Sequence, residues 1–232
     1  MDITSLIKIV REDYLDDTNA DKPLWDNNFM LRSFTEAQRQ ACNRTEFNFE
    51  ELSITLVNGK SSYTLDSRIT KLVNIIFEGN LLVKRSIEEL DYNQSDWRTL
   101  TVMTGKECNY AIRGNKIRFI PSPTVNDAGL VITIEAYTLP SDALTSTSCE
   151  PIIPEEYHRD LIWWVLYEAC SKRDADSFQI KAKDYLDKFE QVFGKYVSGK
   201  VRQHQLENGL PLVNKPFNYN RNPARLSTEE SW

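Results

Sequence analysis

Pro151-Ile-Ile-Pro-Glu-Glu-Tyr-His-Arg-Asp-Leu-Ile-Trp-Trp-Val-Leu-Tyr-Glu-Ala-Cys170 decides how the rest of this chain folds. Pro154 suits the first helical position, where its missing N–H removes an orphan donor, and Glu155 and Glu156 favour the positive end of the helix dipole. From Leu161 to Cys170 only Glu168 is charged, so the segment is predicted to be a helix without a wet face, buried in a core or an interface. After Ser171, Asp174 or Asp176 is the predicted N-cap of a second helix. There Phe178, Ala182, Tyr185, Phe189, Val192 and Tyr196 recur at steps of four and three, with Lys181, Lys183, Asp184, Asp187, Lys188 and Glu190 off the stripe. The two form an αα-hairpin, with Asp184 and Lys188 as an i,i+4 pair contributing about 0.3 kcal/mol. Gly199 is the expected left-handed cap.

Upstream, Thr4 caps an expected first helix carrying Leu6, Ile7, Val10 and Tyr14, and Asp16 to Asp21 reads as a loop. Trp25 and Asp26 look like the N′ hydrophobe and N-cap of a second helix, with Met30, Phe34, Ala37 and Ala41 on one side. At Leu52 the period changes from helical to two. Ile54 and Leu56 alternate with polar residues, Asn58-Gly59 supplies a type I′ turn signal, and Tyr63 and Leu65 return, which predicts a hairpin. A second pair is expected from Lys71–Phe77, the turn Gly79-Asn80 and Leu81–Val83. Ser86 and Glu89 read as a capping box opening a short helix. A third pair, Tyr110–Arg113 and Lys116–Ile120 about Gly114-Asn115, is followed by a long strand from Leu130 to Leu139.

Short strands joined by tight turns, without crossover helices, predict an antiparallel sheet or small sandwich inserted into a helical bundle, an α+β fold. The expected divisions are N-terminal helices in residues 1–50, a β module in 51–140, the αα-hairpin in 141–200, and an extended arm in 201–232. The arm is rich in Asn and Pro and cannot build a core of its own. It nevertheless carries Leu210, Leu212, Phe217, Tyr219 and Trp232, more large apolar groups than a solvating tail needs. These five are the candidate partner-binding residues. Trp163 and Trp164 project about 100° apart on their helix. One of them must therefore face something besides the hairpin partner, and both are candidate subunit-interface residues.

The 232 residues suffice for one well-packed domain or two small ones. No apolar run approaches the roughly 20 residues that span a bilayer, so the chain is expected to be soluble, with no membrane contact. Met1-Asp-Ile-Thr-Ser-Leu lacks the basic and apolar regions of a signal peptide. Cys42, Cys108, Cys149 and Cys170 have no paired spacing and read as reduced thiols. With only His158 and His204 beside them, no zinc pattern can be written. There is no phosphate-binding glycine loop, no nucleophile elbow and no metalloprotease motif. His158 reads as a satisfied or surface histidine. Glu88, Glu89, Asp91 and Asp96 read as a solvated acidic face more readily than a metal site. Lys84, Arg85, Arg113, Lys116 and Arg118 read as a solvated basic face without interleaved aromatics. No catalytic residue, cofactor or metal is expected. A net charge of −6 disfavours gripping a duplex, and it does not exclude a protein that lets DNA slide past.

The order of a Trp-Asp helix ending in Glu36-Ala-Gln-Arg-Gln-Ala-Cys42, a strand module with Ile117-Arg-Phe-Ile-Pro-Ser-Pro123, and then Pro154-Glu-Glu-Tyr-His-Arg-Asp-Leu-Ile-Trp-Trp-Val-Leu-Tyr167 leading to Phe189-Glu-x-x-Phe-Gly194 resembles the adaptor, or head-to-tail connector, proteins of tailed bacteriophages. The β insertion is similar to that of the tubular tail adaptors of short-tailed phages, whereas smaller connectors are mostly helical. The resemblance covers roughly residues 1 to 200. It implies a structural, non-enzymatic virion protein of the neck or tail, assembled in the host cytoplasm. It also implies a ring of about twelve copies under the portal, bound to portal protein and to a tail or nozzle protein. Double-stranded DNA would pass through the lumen during ejection without specific binding. The free subunit is expected to stay monomeric until it meets the portal. Two other classes were weighed. A DNA-packaging ring component such as a small terminase subunit needs a basic recognition helix, which the chain lacks. A metal-dependent enzyme would need Glu88 and Glu89 as ligands.

Overall fold

The computed structural model describes residues 1–19, 23–93, 96–99, 108–141, 143–173, 176–196 and 199–208. In chain order the elements are α1 (Ile3–Ile9), continued by a π-helical stretch Val10–Leu15, α2 (Asn27–Arg44), β1 (Phe49–Thr55), β2 (Ser62–Thr64), β3 (Ile69–Phe77), β4 (Asn80–Leu81), β5 (Val83–Lys84), α3 (Ile87–Asn93), β6 (Asn109–Arg113), β7 (Lys116–Ile120), β8 (Val131–Thr138), a 3₁₀ stretch Glu155–Asp160, α4 (Leu161–Ser171), α5 (Asp176–Phe193) and α6 (Gly199–Asn208). The fold is α+β.

The helical body is built as the apolar spacing dictates. No residue of α4 from Leu161 to Cys170 is exposed, and Leu161, Ile162, Val165 and Leu166 join Phe34, Ala37 and Ala41 of α2 and Phe189 and Phe193 of α5 in one core. The α-helix starts later than the sequence suggests. Pro154 keeps an extended ψ of 142°, and the turn after it closes as 3₁₀, with the Tyr157 N–H donating to the Pro154 carbonyl at 2.9 Å. α1 is capped by Asp2, which accepts from the Ser5 N–H at 3.0 Å, while the Thr4 hydroxyl donates to the Thr147 carbonyl. Asp26 does cap α2, accepting from the Phe29 N–H at 2.7 Å. Asp26→Ala is expected to cost about 1 kcal/mol in a denaturant melt, the usual loss of an N-cap acceptor.

The polar linker from Ser141 to Glu150 is tied to the helices by backbone groups. Ile3 and Thr4 N–H donate to the Cys149 and Thr147 carbonyls, and the Leu144 N–H donates to the Thr35 hydroxyl at 3.1 Å. No helix among the described residues is long and apolar enough to cross a membrane.

The strands form a sandwich of two four-stranded sheets, β1-β8-β3-β4 and β2-β7-β6-β5. Their inner faces share one core, with Ile75, Phe77, Ile132 and Ile134 from the first sheet and Ile112, Ile117 and Phe119 from the second. All pairings are antiparallel except β5 with β6. The hairpin about Gly114-Asn115 forms as expected, with Arg113 opposite Lys116. The hairpin expected from Leu52 to Leu65 does not form. β1 pairs with β8 over seven residues, and β2 pairs with β7 in the other sheet. The turn itself is present, with Gly59 at φ 71°. A turn signal reverses the chain without choosing which edge each arm joins, and β8 offers β1 a partner more than twice as long as β2. Splitting the arms also buries Leu56 and Tyr63 between the sheets. The second pair turns on Glu78-Gly79, both at positive φ, one residue before the expected turn.

Two further expectations shift near the end of α5. Gly194, not Gly199, takes the left-handed cap at φ 85°, and its N–H donates to the Glu190 carbonyl at 2.9 Å. Gly199 opens α6, so residues 199–208 are helical where the composition suggests extended chain.

Candidate assembly surfaces

At the C-terminal ends of α2 and α5, Arg44 is 5% exposed. Its guanidinium donates to the Gly194 carbonyl at 3.1 Å, lies 3.7 Å from Glu190, and sits 5.5 and 5.1 Å from the ring centroids of Trp164 and Phe189. Burial lowers its affinity for the proton, and Glu190 opposes that shift. One buried cation thus closes the end of α5 against α2. A single Arg at a helix end carries no periodic signal, so sequence reading had no means of finding it.

His158 is buried, with a carbonyl oxygen within hydrogen-bond distance of each ring nitrogen. Nδ1 lies 3.0 Å from the Met1 carbonyl oxygen and Nε2 2.8 Å from that of Ile153, which ties the 3₁₀ stretch to the start of α1. Of the acidic residues near α3, Glu89 and Asp91 are engaged with cations and an indole. Glu89 accepts from Arg85 at 2.7 Å, and Asp91 accepts from Arg98 and from Trp97 Nε1. Hydrogen bonds from Arg98 and Trp97 hold the Asp91 carboxyl below its ordinary range. The Ser86 hydroxyl accepts from the Glu89 N–H at 3.0 Å, which forms half of the expected capping box, while the Glu89 side chain turns to Arg85. Among the described residues no group of three or more His, Cys, Asp or Glu is placed to hold a metal. All four cysteines are thiols, and burial pushes that of Cys42 up to about 12.

Three of the five basic residues, Lys84, Arg85 and Arg118, are likewise partnered. Lys84 donates to the Leu206 carbonyl, and Arg118 donates to the Arg98 carbonyl at 3.1 Å. Sequence reading found no aromatic among these cations, yet Arg98 and Arg118 lie 4.3 and 4.9 Å from the ring centroid of Trp97, which is buried. Only Trp97, just before Arg98, hinted at that arrangement. It covers a small core of Leu90, Ala111 and Ile120 and leaves no open ring face for a base to stack on.

Trp163 and Trp164 are both half-buried. Trp163 stacks on Tyr185 and meets Tyr14 edge-on, and its Nε1 donates to Asp160 at 3.3 Å. Trp164 packs on Phe189 and donates to Glu168 at 3.0 Å. Lys188 lies over the Trp163 ring at 4.6 Å rather than in the expected ion pair with Asp184. The two rings diverge, as the helical spacing requires, yet both reach α5.

α6 lies on the sandwich. The Glu207 carboxylate accepts from the Gly114 N–H at 2.8 Å, Lys84 holds the Leu206 carbonyl, and the Leu206 side chain packs on the sandwich core. With α2 and the loop Leu65–Thr70, α6 borders a cleft of about 400 Å³. Polar anchors rather than an apolar stripe fix this helix, which is why periodicity missed it. The expected partner-binding residues Leu210, Leu212, Phe217, Tyr219 and Trp232 lie outside the described residues.

A helical body and an inserted sandwich define an α+β protein. The chain belongs to the SU10 adaptor protein family, a phage head-to-tail adaptor family whose model matches residues 1–212. No curated protein matches. The family is a structural kind of protein of the virion.

Proposed function

We propose that this adaptor forms a ring of about twelve copies beneath the portal, joins the DNA-filled head to the tail, and continues the DNA channel. The family match across both the helical body and the sandwich carries this reading. Its partners are further copies of itself, the portal protein, and a tail or nozzle protein. Apolar side chains left in water support the copy-to-copy contact: Val73, Leu81 and Val83 of β3, β4 and β5 are 42%, 64% and 51% exposed. The half-buried edges of Trp163 and Trp164 add a second such surface on the helical body. Leu210, Leu212, Phe217, Tyr219 and Trp232 form the arm that grips a partner. A charge of −6 on every copy keeps the lumen repulsive to the duplex, so DNA slides without binding.

The free chain should sediment as a monomer and enter rings only on portal-bearing heads. Removal of residues 209–232 tests the arm and spares Leu206 and Glu207, which anchor α6. The truncated chain is expected to melt at an unchanged midpoint and to be absent from purified particles. Normal incorporation of the truncated chain would refute the arm's role, and a stable oligomer of the free chain would refute templated assembly.

A further inference from the structure

β1 is a sheet edge without the usual protection. The other edge strands β2, β4 and β5 are two or three residues long, whereas β1 runs for seven, contains no Lys or Pro, and pairs with β8 in unbroken register. Natural edges of that length are normally blunted or covered. The register also says which groups are open. The Leu56 N–H donates to the Leu130 carbonyl and the Thr138 N–H donates to that of Asn48, so the even-numbered residues exchange the ladder bonds with β8. Phe49, Glu51, Ser53 and Thr55 therefore turn their N–H and C=O groups away from it, and among the described residues β1 has no second strand partner.

Beside this edge the sandwich is open. Leu52 and Ile54 are only half-buried, and with Leu65, Ile69 and Ile134 they line a groove of about 490 Å³ between β1 and the end of β2. A strand added to β1 would point every second side chain into that groove and bond through the residues between. It must therefore offer two apolar residues at i and i+2, flanking a residue that has an N–H.

Residues 209–232 contain two pairs of large apolar residues at that spacing, of which only one flanks a residue with an N–H. Leu210 and Leu212 flank Pro211, which has no N–H to give at the bonding position. Phe217 and Tyr219 flank Asn218, with Asn220 as the next bonding residue and no proline before Pro223. Charge agrees in part: residues 209–225 carry Lys215, Arg221 and Arg225 and no carboxylate, while β1 exposes Glu51, with Glu50 and Glu46 beside it already paired to Arg68 and Lys71. The departure point also matters. α6 is pinned at Lys84 of β5, at the edge of its sheet opposite β2, while the cleft that it borders shares Leu65, Asp66 and Ile69 with the groove. A ring with heterologous contacts joins two unlike sides of successive copies. The eight residues from 209 to 216 can span roughly 28 Å when extended, enough to cross to a neighbour.

Building on the ring reading above, we infer that Phe217–Asn220 of one copy adds as a strand to the free edge of β1 in the next copy. Phe217 and Tyr219 fill the groove between the sheets, and Asn218 and Asn220 exchange main-chain bonds with the outward-facing residues of β1. This is strand addition of the kind used for peptide recognition, here closing the subunits into a chain of linked sandwiches.

The test is site-directed cross-linking of full-length chains in which Cys149→Ser removes the one native cysteine that is not buried. Chains with Ser53→Cys are mixed with chains with Asn218→Cys, assembled on portal-bearing heads, and treated with a short bismaleimide. Facing and diagonal neighbours on an antiparallel pair lie about 4.5–8 Å apart, so the reagent tolerates a shift in register. A dimer band at least tenfold stronger in assembled than in free chains is expected, and the double variant should give a ladder. Rings without the dimer band, or a purely intramolecular product from the double variant, would overturn the inference while leaving the ring intact. Chains that stay monomeric on the heads would overturn both. Ser53→Pro, which removes an N–H facing only the open edge, should leave the melting midpoint unchanged and lower incorporation at least tenfold. Full incorporation of that variant would also count against strand addition.

Discussion

Phe189→Ala should destabilise the helical body by about 3–5 kcal/mol, the cost of removing a fully buried aromatic ring from a core that cannot collapse around the void. Phe189 has no exposed surface and touches Trp164 and Phe193 at ring separations of 5.2 and 4.6 Å. It also forms part of the aromatic floor under Arg44. Three neighbours thus lose a contact face at once, and none is free to move. Leu161 and Ile162 lie in the same core, and Leu161→Ala is expected to fall in the broader range of about 2–5 kcal/mol. Denaturant melts of the two variants measure both effects. A loss below half a kcal/mol in either case would mean that the α4–α5 hairpin is not the centre of the helical body.

Arg44→Ala should cost about 3 kcal/mol, the lower end of what breaking a buried charged contact usually costs. Glu190 is 24% exposed, so it can recover water when its partner is lost. The Gly194 carbonyl loses its guanidinium donor and the Phe189 ring, which is fully buried, loses the cation over its face, and these set the larger share of the loss. A double-mutant cycle with Glu190→Ala separates these contributions, because coupling is the part that vanishes when either partner is already absent. A coupling near 1 kcal/mol is expected. A value equal to the whole loss would show that the ion pair, and not the helix-end contact, holds α2 to α5.

The parts of this fold that were legible in the sequence are those in which one face repeats. The stripe from Phe178 to Val192 gave α5, the apolar run broken only by Glu168 gave α4 with no exposed residue from Leu161 to Cys170, and Asp26 gave the cap of α2. Alternation gave β8, whose inward residues Ile132, Ile134 and Ala136 are all buried. What failed was pairing. Asn58-Gly59 is a correct turn between strands that part company, because the choice between β2 and β8 as partner depends on residues more than seventy positions away. The end of α5 moved from Gly199 to Gly194 for a related reason. Either glycine satisfies the local rule, and only the buried Arg44 selects the one whose carbonyl it can reach. α6 and the Trp97 cluster were missed because single polar contacts, not repeated apolar ones, fix them in place. The free edge of β1 became visible only once register was known, since periodicity reports which way side chains face and is silent about the main chain.

The sandwich enters and leaves the helical body at one spot. Asn48, at the start of β1, and Thr138, at the end of β8, are both buried; the Thr138 N–H donates to the Asn48 carbonyl and the Asn48 amide donates to the Thr138 hydroxyl, each at 2.8 Å. Everything between them is, to the helices, a single loop whose two ends are already clasped. Enlarging, shrinking or exchanging that loop changes its closure entropy only logarithmically and leaves the core of α1, α2, α4 and α5 in register. The helical body can therefore be inherited intact while the insert is rebuilt, so variation is free to accumulate in the part of the molecule that the bundle does not need in order to fold.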